Sequence, residues 1–228
     1  MTQPDAGTRG PGSEKEISRR AAWLVIAGTV VLVLVLGVAV GKAFFWDKYE
    51  NLSKEDHEYR VAIANVKKEP DNPTYRVNLG WVYFKQGKYD LAEQEFKNAL
   101  QLDPKSVQAR YNMAVVYLET QRAGEAKGIL EEITRDSPRY AAARSLLGYT
   151  YFQLGEYEKS IKEYQAADFV EPGNTNVLYQ IGQAYEKLGQ KDKALEYYRK
   201  VLQYNPLFKE AEEAIKNLEA GPAPGQGK

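Results

Sequence analysis

Pro70, Pro104, Pro138, Pro172 and Pro206 stand 34 residues apart, without one insertion or deletion between them. A fixed period of that size is the mark of stacked supersecondary units, each too small to bury its own apolar face and stable only against its neighbours. The period frames four units, residues 73–106, 107–140, 141–174 and 175–208. Other positions keep the same phase. Gly80, Gly148 and Gly182 recur with Ala114 in the second unit, where the lack of a large side chain lets two helices approach. Tyr83, Tyr117, Tyr151 and Tyr185 follow three residues later, on nearly the same helix face. Gly87, Gly155 and Gly189 end the first helices and suit a left-handed turn. Ala92, Ala126, Ser160 and Ala194 supply small contact points on the second helices, and Phe96, Leu130, Tyr164 and Tyr198 fill the space four residues further on. Each proline then stops its second helix.

This pattern resembles the tetratricopeptide repeat (TPR). The Leu-Gly-x-x-Tyr, Ala-x-x-x-Phe and terminal Pro positions are matched by Leu79-Gly80, Tyr83, Ala92, Phe96, Ala99 and Pro104, and again by Leu147-Gly148, Tyr151, Tyr164, Ala167 and Pro172. The second unit departs most, with Met113-Ala114 for Leu-Gly and Arg122-Ala123 in the turn. The usual early Trp is replaced by Arg76, Arg110, Arg144 and Leu178. The resemblance implies an all-α fold, a solenoid of helix hairpins. Beyond the last unit, Ala211, Ala214, Ile215 and Leu218 share one helical stripe, which predicts a capping helix over 209–219 and a flexible tail over 220–228. Before the first, Tyr49, Leu52, Tyr59, Ile63 and Val66 recur at three- and four-residue steps, so 47–72 reads as a helical linker or half-repeat. A short coiled coil is the rival there, but Asp56 interrupts the stripe.

From Ala21 to Gly41 no residue is charged. Twenty-one residues at about 1.5 Å each span roughly 30 Å, the depth of a bilayer's hydrocarbon core. Arg19 and Arg20 bound one side and Lys42 the other, with Trp23, Phe44, Phe45, Trp46 and Tyr49 at the ends, where amphipathic rings favour the headgroup zone. The expectation is a disordered tail over 1–18 and a single transmembrane anchor helix with its flanks over 19–46. A cleaved signal peptide has a shorter apolar core and small residues after it, unlike this segment. Basic residues near the span tie in number, and the adjacent Arg pair tips the amino terminus inside, leaving the repeats extracytoplasmic. The compact anchor-plus-repeat layout points to a bacterial cell membrane. Gly37 and Gly41 form a GxxxG pair that would let two such helices pack in a weak dimer, although chance supplies one such pair more often than dimerisation does.

Function classes narrow from composition. Lys+Arg and Asp+Glu balance at 31 each, so no global basic field exists to hold nucleic acid. Cys is absent, which removes disulfides, thiolate metal sites and cysteine nucleophiles. His57, the one histidine, sits between Asp56 and Glu58 without partners for a zinc site. No phosphate loop or nucleophile elbow appears, and Glu131-Glu132 and Glu212-Glu213 read as solvated helix carboxylates. The chain is thus expected to be no enzyme and to need no cofactor or metal. Seventeen Tyr against seven Phe point to helix contacts in which rings are buried and hydroxyls reach the rim.

The family resemblance implies a concave face lined by first helices. It would present Asn78, Trp81, Phe84 and Lys85, then Tyr111, Asn112 and Glu119, then Tyr149, Phe152 and Gln153, then Tyr179, Gln180 and Gln183. Rings interleaved with amides suit a peptide or helix of a protein partner, although Tyr111 and Tyr179 could equally close gaps between layers. A chaperone-type carboxylate clamp is not implied: of its positions Asn112 matches, while Val77, Trp81, Ala142 and Leu146 occupy the others and carry no cation. The expectation is a membrane-tethered interaction scaffold; the alternative is a permanent structural subunit of an envelope or secretion assembly.

Overall fold

A computed structural model of the chain describes residues 54–220. The described residues from Glu58 onward belong to one compact unit. The described elements are helices in unbroken succession: α1 (Lys54–Lys68), α2 (Pro73–Lys85), α3 (Tyr89–Leu102), α4 (Val107–Glu119), α5 (Ala123–Asp136), α6 (Ala141–Gln153), α7 (Tyr157–Val170), α8 (Thr175–Lys187), α9 (Lys191–Tyr204) and α10 (Lys209–Ala220). No strand occurs among the described residues. None of these helices is long and apolar enough to cross a membrane. The candidate span 21–41, its flanks, the Gly37/Gly41 pair, the linker's first residues 47–53 and the tails 1–18 and 221–228 lie outside the described residues, while Ala220, expected in the tail, is the last residue of α10.

The helices form hairpins α2–α3, α4–α5, α6–α7 and α8–α9, one per 34-residue unit, with 13 residues in each first helix and 14 in each second. Starts and stops follow from local chemistry. Asn72 accepts from the Thr74 amide (3.0 Å) and Asn174 from those of Asn176 and Val177, while Ser106 accepts from Ala109, satisfying amide groups that have no partner within the helix. Each second helix ends two residues before its proline. The residue between is held extended, Asp103 at φ −134° and ψ 90° for example, because the proline ring disfavours helical geometry in the residue before it. First helices close on a left-handed residue, Gly87 (φ 69°), Gly155 (φ 75°) and Gly189 (φ 71°). In the second unit Gln121 takes that place at φ 60°, so the turn survives without glycine. Its neighbours brace it: the Arg122 amide donates to the Tyr117 carbonyl (2.7 Å), and the Arg122 guanidinium lies 4.1 Å from the Tyr117 ring centroid.

Within a hairpin, the small residue of the first helix meets the large residue of the second. A Cβ added to Gly80 would lie 2.6 Å from the Phe96 ring, at Gly148 2.9 Å from Tyr164 and at Gly182 2.5 Å from Tyr198. In the second unit Ala114 faces the shorter Leu130, both fully buried. The core is a relay of apolar clusters running from α1 to α10, each bridging neighbouring helices. At the near end Tyr59, Ala62, Ile63 and Val66 of α1 pack on Leu79, Val82 and Tyr83. At the far end Ala211 is fully buried, and Ala214, Ile215 and Leu218 cover Leu178, Tyr198 and Val201 with a helix whose other faces are charged.

Arginines at the position of the missing Trp work as clasps. Arg76 donates to the Pro70 carbonyl (3.2 Å) and to Glu95 (3.1 Å); Arg144 repeats this with Pro138 (2.6 Å) and Glu163 (2.7 Å). Each ties a first helix to both the preceding proline loop and its own second helix. Arg110 reaches Asp136 instead (3.3 Å).

Candidate binding groove

The first helices α2, α4, α6 and α8 carry every residue expected on the inner face. A pocket of about 380 Å³ opens between α4, α6 and α8. Tyr111, Ser145, Leu146, Tyr149, Asn176 and Gln180 contribute to its wall, with Tyr164 at its floor and Glu171 and Asn174 at its rim. It is set by the helical period: Tyr111 and Ser145 share one phase of the repeat, Leu146 and Gln180 the next. An adjoining hollow is lined by Glu119, Tyr149 and Gln153.

The expected residues divide by what already holds them. Tyr149 is 38% exposed and accepts from the Gln153 amide (2.7 Å), presenting ring and amide together. Trp81, 41% exposed, stacks on Phe84 at 4.9 Å and 13°, forming a flat apolar platform on α2. Asn78 is exposed, and Gln180 and Gln183 are half-buried. Lys85 is exposed but paired with Glu58. Tyr111 packs on Tyr140 (5.7 Å), Phe152 on Tyr157 (5.3 Å), and Tyr179 on both Phe208 (5.2 Å) and Tyr198 (5.4 Å), so these rings chiefly close gaps between layers. Asn112 is only 8% exposed, yet no described residue hydrogen-bonds its amide.

Electrostatics are set by tyrosine–carboxylate pairs. Tyr151 donates to Glu131 (2.6 Å), Tyr117 to Glu93 (3.3 Å) and Tyr198 to Glu186 (2.8 Å), with burial first and the carboxylate next raising these phenols above their ordinary range. Glu131 is therefore not the merely solvated carboxylate that its helix position implies. Burial and the neighbouring Tyr59 push the Tyr83 phenol up to about 12. Glu93 also accepts from Arg122 (2.6 Å) and Lys97 (2.6 Å), and the Arg122 guanidinium, ahead of Lys97, holds its carboxyl below the usual range. The Tyr117–Glu93 and Tyr151–Glu131 pairs lie between repeats and the Tyr198–Glu186 pair within the fourth hairpin, and none converges with a nucleophile. Among the described residues no group of three His, Asp or Glu side chains is arranged to hold a metal ion.

Four tetratricopeptide-repeat models match, at residues 57–107, 83–148, 148–189 and 175–208, and together cover residues 57–208, from α1 to α9. The chain belongs to the tetratricopeptide-repeat family. The match that begins at residue 57 takes in most of α1 together with the first framed repeat. Among solved structures, this TPR chain is similar to MamA, with a TM-score of 0.62 and 27% identity over 74% of this chain and 97% of that one. It also shares its fold with YrrB, described as a TPR protein with an unusual peptide-binding site (TM-score 0.63, 19% identity, 75% of this chain, 88% of that one). Among curated proteins, DnaJ homolog subfamily C member 3 of Gallus gallus is 27% identical over 180 residues, 69% of this chain and 36% of that protein. This TPR chain thus spans about a third of that relative's length.

Among the pocket residues that sequence reasoning missed, Ser145, Asn176, Glu171 and Asn174 are polar, and Leu146 adds apolar wall. Ser145 and Asn176 lie in phase with Tyr111 and Ala142 and were within reach of the repeat phase. Glu171 and Asn174 belong to the loop between α7 and α8, and enter the pocket because the proline turn folds back beside α8.

Proposed function

We propose that this TPR protein is a membrane-tethered, non-catalytic scaffold that seats a peptide or helix of a partner protein on the inner face of its first helices. The observation that carries the reading is the pocket between α4, α6 and α8, where Tyr149 stands exposed beside Ser145, Asn176 and Gln180. Rings there supply apolar area at small entropic cost, and amides pair with a ligand's backbone. The Trp81–Phe84 platform on α2 extends the surface toward the near end of the array. Tethering is supported by the uncharged run from Ala21 to Gly41, and it would raise the local concentration of whatever the groove holds.

The test is crosslinking in intact membranes with a photoreactive residue at Gln153, followed by mass spectrometry. A protein partner is expected to crosslink, and Trp81→Ala with Tyr149→Ala is expected to abolish the crosslink at unchanged helicity. Full retention of every partner by that double variant overturns the groove. Extraction of the chain from membranes by alkaline carbonate overturns the tether.

A further inference from the structure

We propose that the groove selects a segment of basic character, its backbone met by Asn112 on α4 and its Lys or Arg side chains lying across α8 and α10. This deepens the groove reading and rests on it.

Two independent observations carry it. The first is Asn112. Asn112 is only 8% exposed, its amide atoms are not among the fully buried ones, and no described residue bonds to them. A side-chain amide that is held in place by its packed surroundings but left unbonded is free to pair with the backbone of a ligand. Its phase-mates in the next two repeats, Leu146 and Gln180, both line the pocket, so the same helical phase places Asn112 on the groove side.

The second is charge. Glu171 stands at the pocket rim, and Glu119 lines the adjoining hollow. Glu210 and Glu213 of α10 fall in phase with Asn176 and with Tyr111 and Ser145, all of which line the pocket. Glu186, Glu210 and Glu213 lie near enough to Tyr179 that, after burial, their charge adds to the rise of its phenol. None of these five carboxylates makes an ion pair among the described residues. Among cations on α4, α8 and α10, Arg110 is held by Asp136 and Lys216 by Glu212, which leaves Lys187 and Lys209. The far end of the groove therefore has negative charge in excess, and a basic ligand neutralises it where an acidic one is repelled. Three helix-to-helix steps of about 10 Å separate α4 from α10, roughly 30 Å, or about nine residues of extended chain.

The experiment pans a random dodecapeptide phage library on the full-length chain and measures the affinity of the enriched peptide by fluorescence anisotropy. Enriched sequences are expected to gather Lys or Arg toward one end. Glu210→Gln with Glu213→Gln, both exposed, should weaken the peptide about three- to tenfold, and less so in high salt. Asn112→Leu should weaken it at unchanged ellipticity. Enriched peptides without basic bias, or affinity indifferent to the Glu210 and Glu213 changes, overturn the charge inference. In that case Trp81→Ala with Tyr149→Ala still abolishes binding if the groove itself is right. Enriched peptides indifferent to Trp81 and Tyr149, or no enrichment, overturn both.

Discussion

Gly182→Ala sets two effects of known sign against each other. In an exposed helix interior, replacing glycine by alanine stabilises by about 1 kcal/mol, because alanine has the better helix propensity. Here the added Cβ would lie 2.5 Å and 2.7 Å from two carbons of the Tyr198 ring, whereas carbons settle at about 3.5–4.0 Å. The ring has little freedom to retreat: Tyr198 is fully buried, its hydroxyl is bonded to Glu186 at 2.8 Å, and Tyr179 covers it at 5.4 Å. Overpacking of this kind costs about 1–3 kcal/mol, so after the propensity gain a net loss of about 1 kcal/mol is expected.

The second repeat supplies the control, since Ala114 is accommodated where the opposing residue is Leu130. Tyr198→Leu alone should cost about 2–3 kcal/mol by opening a cavity and removing a hydrogen bond. Together the two changes should recover about 1–2 kcal/mol relative to their sum, because alanine and leucine then fit as they do in the second repeat. Urea denaturation followed by far-UV ellipticity measures all four corners of the cycle, with hydrogen exchange at α8 and α9 locating the effect. Stabilisation by Gly182→Ala, or additivity to within about 0.4 kcal/mol, would refute the steric reasoning.

Three further outcomes concern the clasps and the ion pairs. Arg144→Ala should lower stability by about 1–2 kcal/mol in the same assay, because it releases the Pro138 carbonyl and leaves Glu163, 16% exposed, without its cation. Arg199→Ala breaks a pair with Glu219 that is 59% and 52% exposed, and should stay within about 0.5 kcal/mol. Arg122→Met tests the acid response. Glu93 is depressed by Arg122, so this pair contributes stability above the carboxyl's unfolded pKa, near 4.3, that is lost as pH falls through the lower folded value. The gap between wild type and variant should therefore shrink from about pH 5 down to pH 3; a constant gap excludes the linkage.

How legible the fold was depends on whether the chemistry repeats. Gly80, Tyr83, Ala92, Phe96 and Pro104 recur because every hairpin solves the same steric problem, and a period exposes what a single helix would hide. The Gln121 turn was obscure for the opposite reason. Its left-handed backbone is held by a hydrogen bond and an arginine–ring contact, neither of which has a glycine to announce it. The arginine clasps show in the sequence only as the loss of a Trp, although Arg76 and Arg144 are in phase and each has a Glu 19 residues on. The half-repeat α1 was visible as a stripe, but its seat on Leu79 and Val82 depends on complementarity between two surfaces and not on either alone.

The inner face was the least legible part, since repeat phase assigns residues to a side of a helix without saying which are already engaged. Tyr179 and Tyr149 differ by one helical step in phase, yet Tyr179 is sandwiched by Phe208 and Tyr198 while Tyr149 stands 38% exposed. The difference arises from the segment that succeeds each repeat. After the fourth repeat comes α10, whose lead-in residue Phe208 closes over Tyr179; at the pocket, Ala142 and Ser145 are too small to cover the gap between α6 and α8. Small residues at those two phases leave the space, and the large exposed ring beside it gives the space an apolar wall. A groove of this kind is made by omission, by side chains too short to meet across a helix step. The energy withheld from folding there remains available for binding.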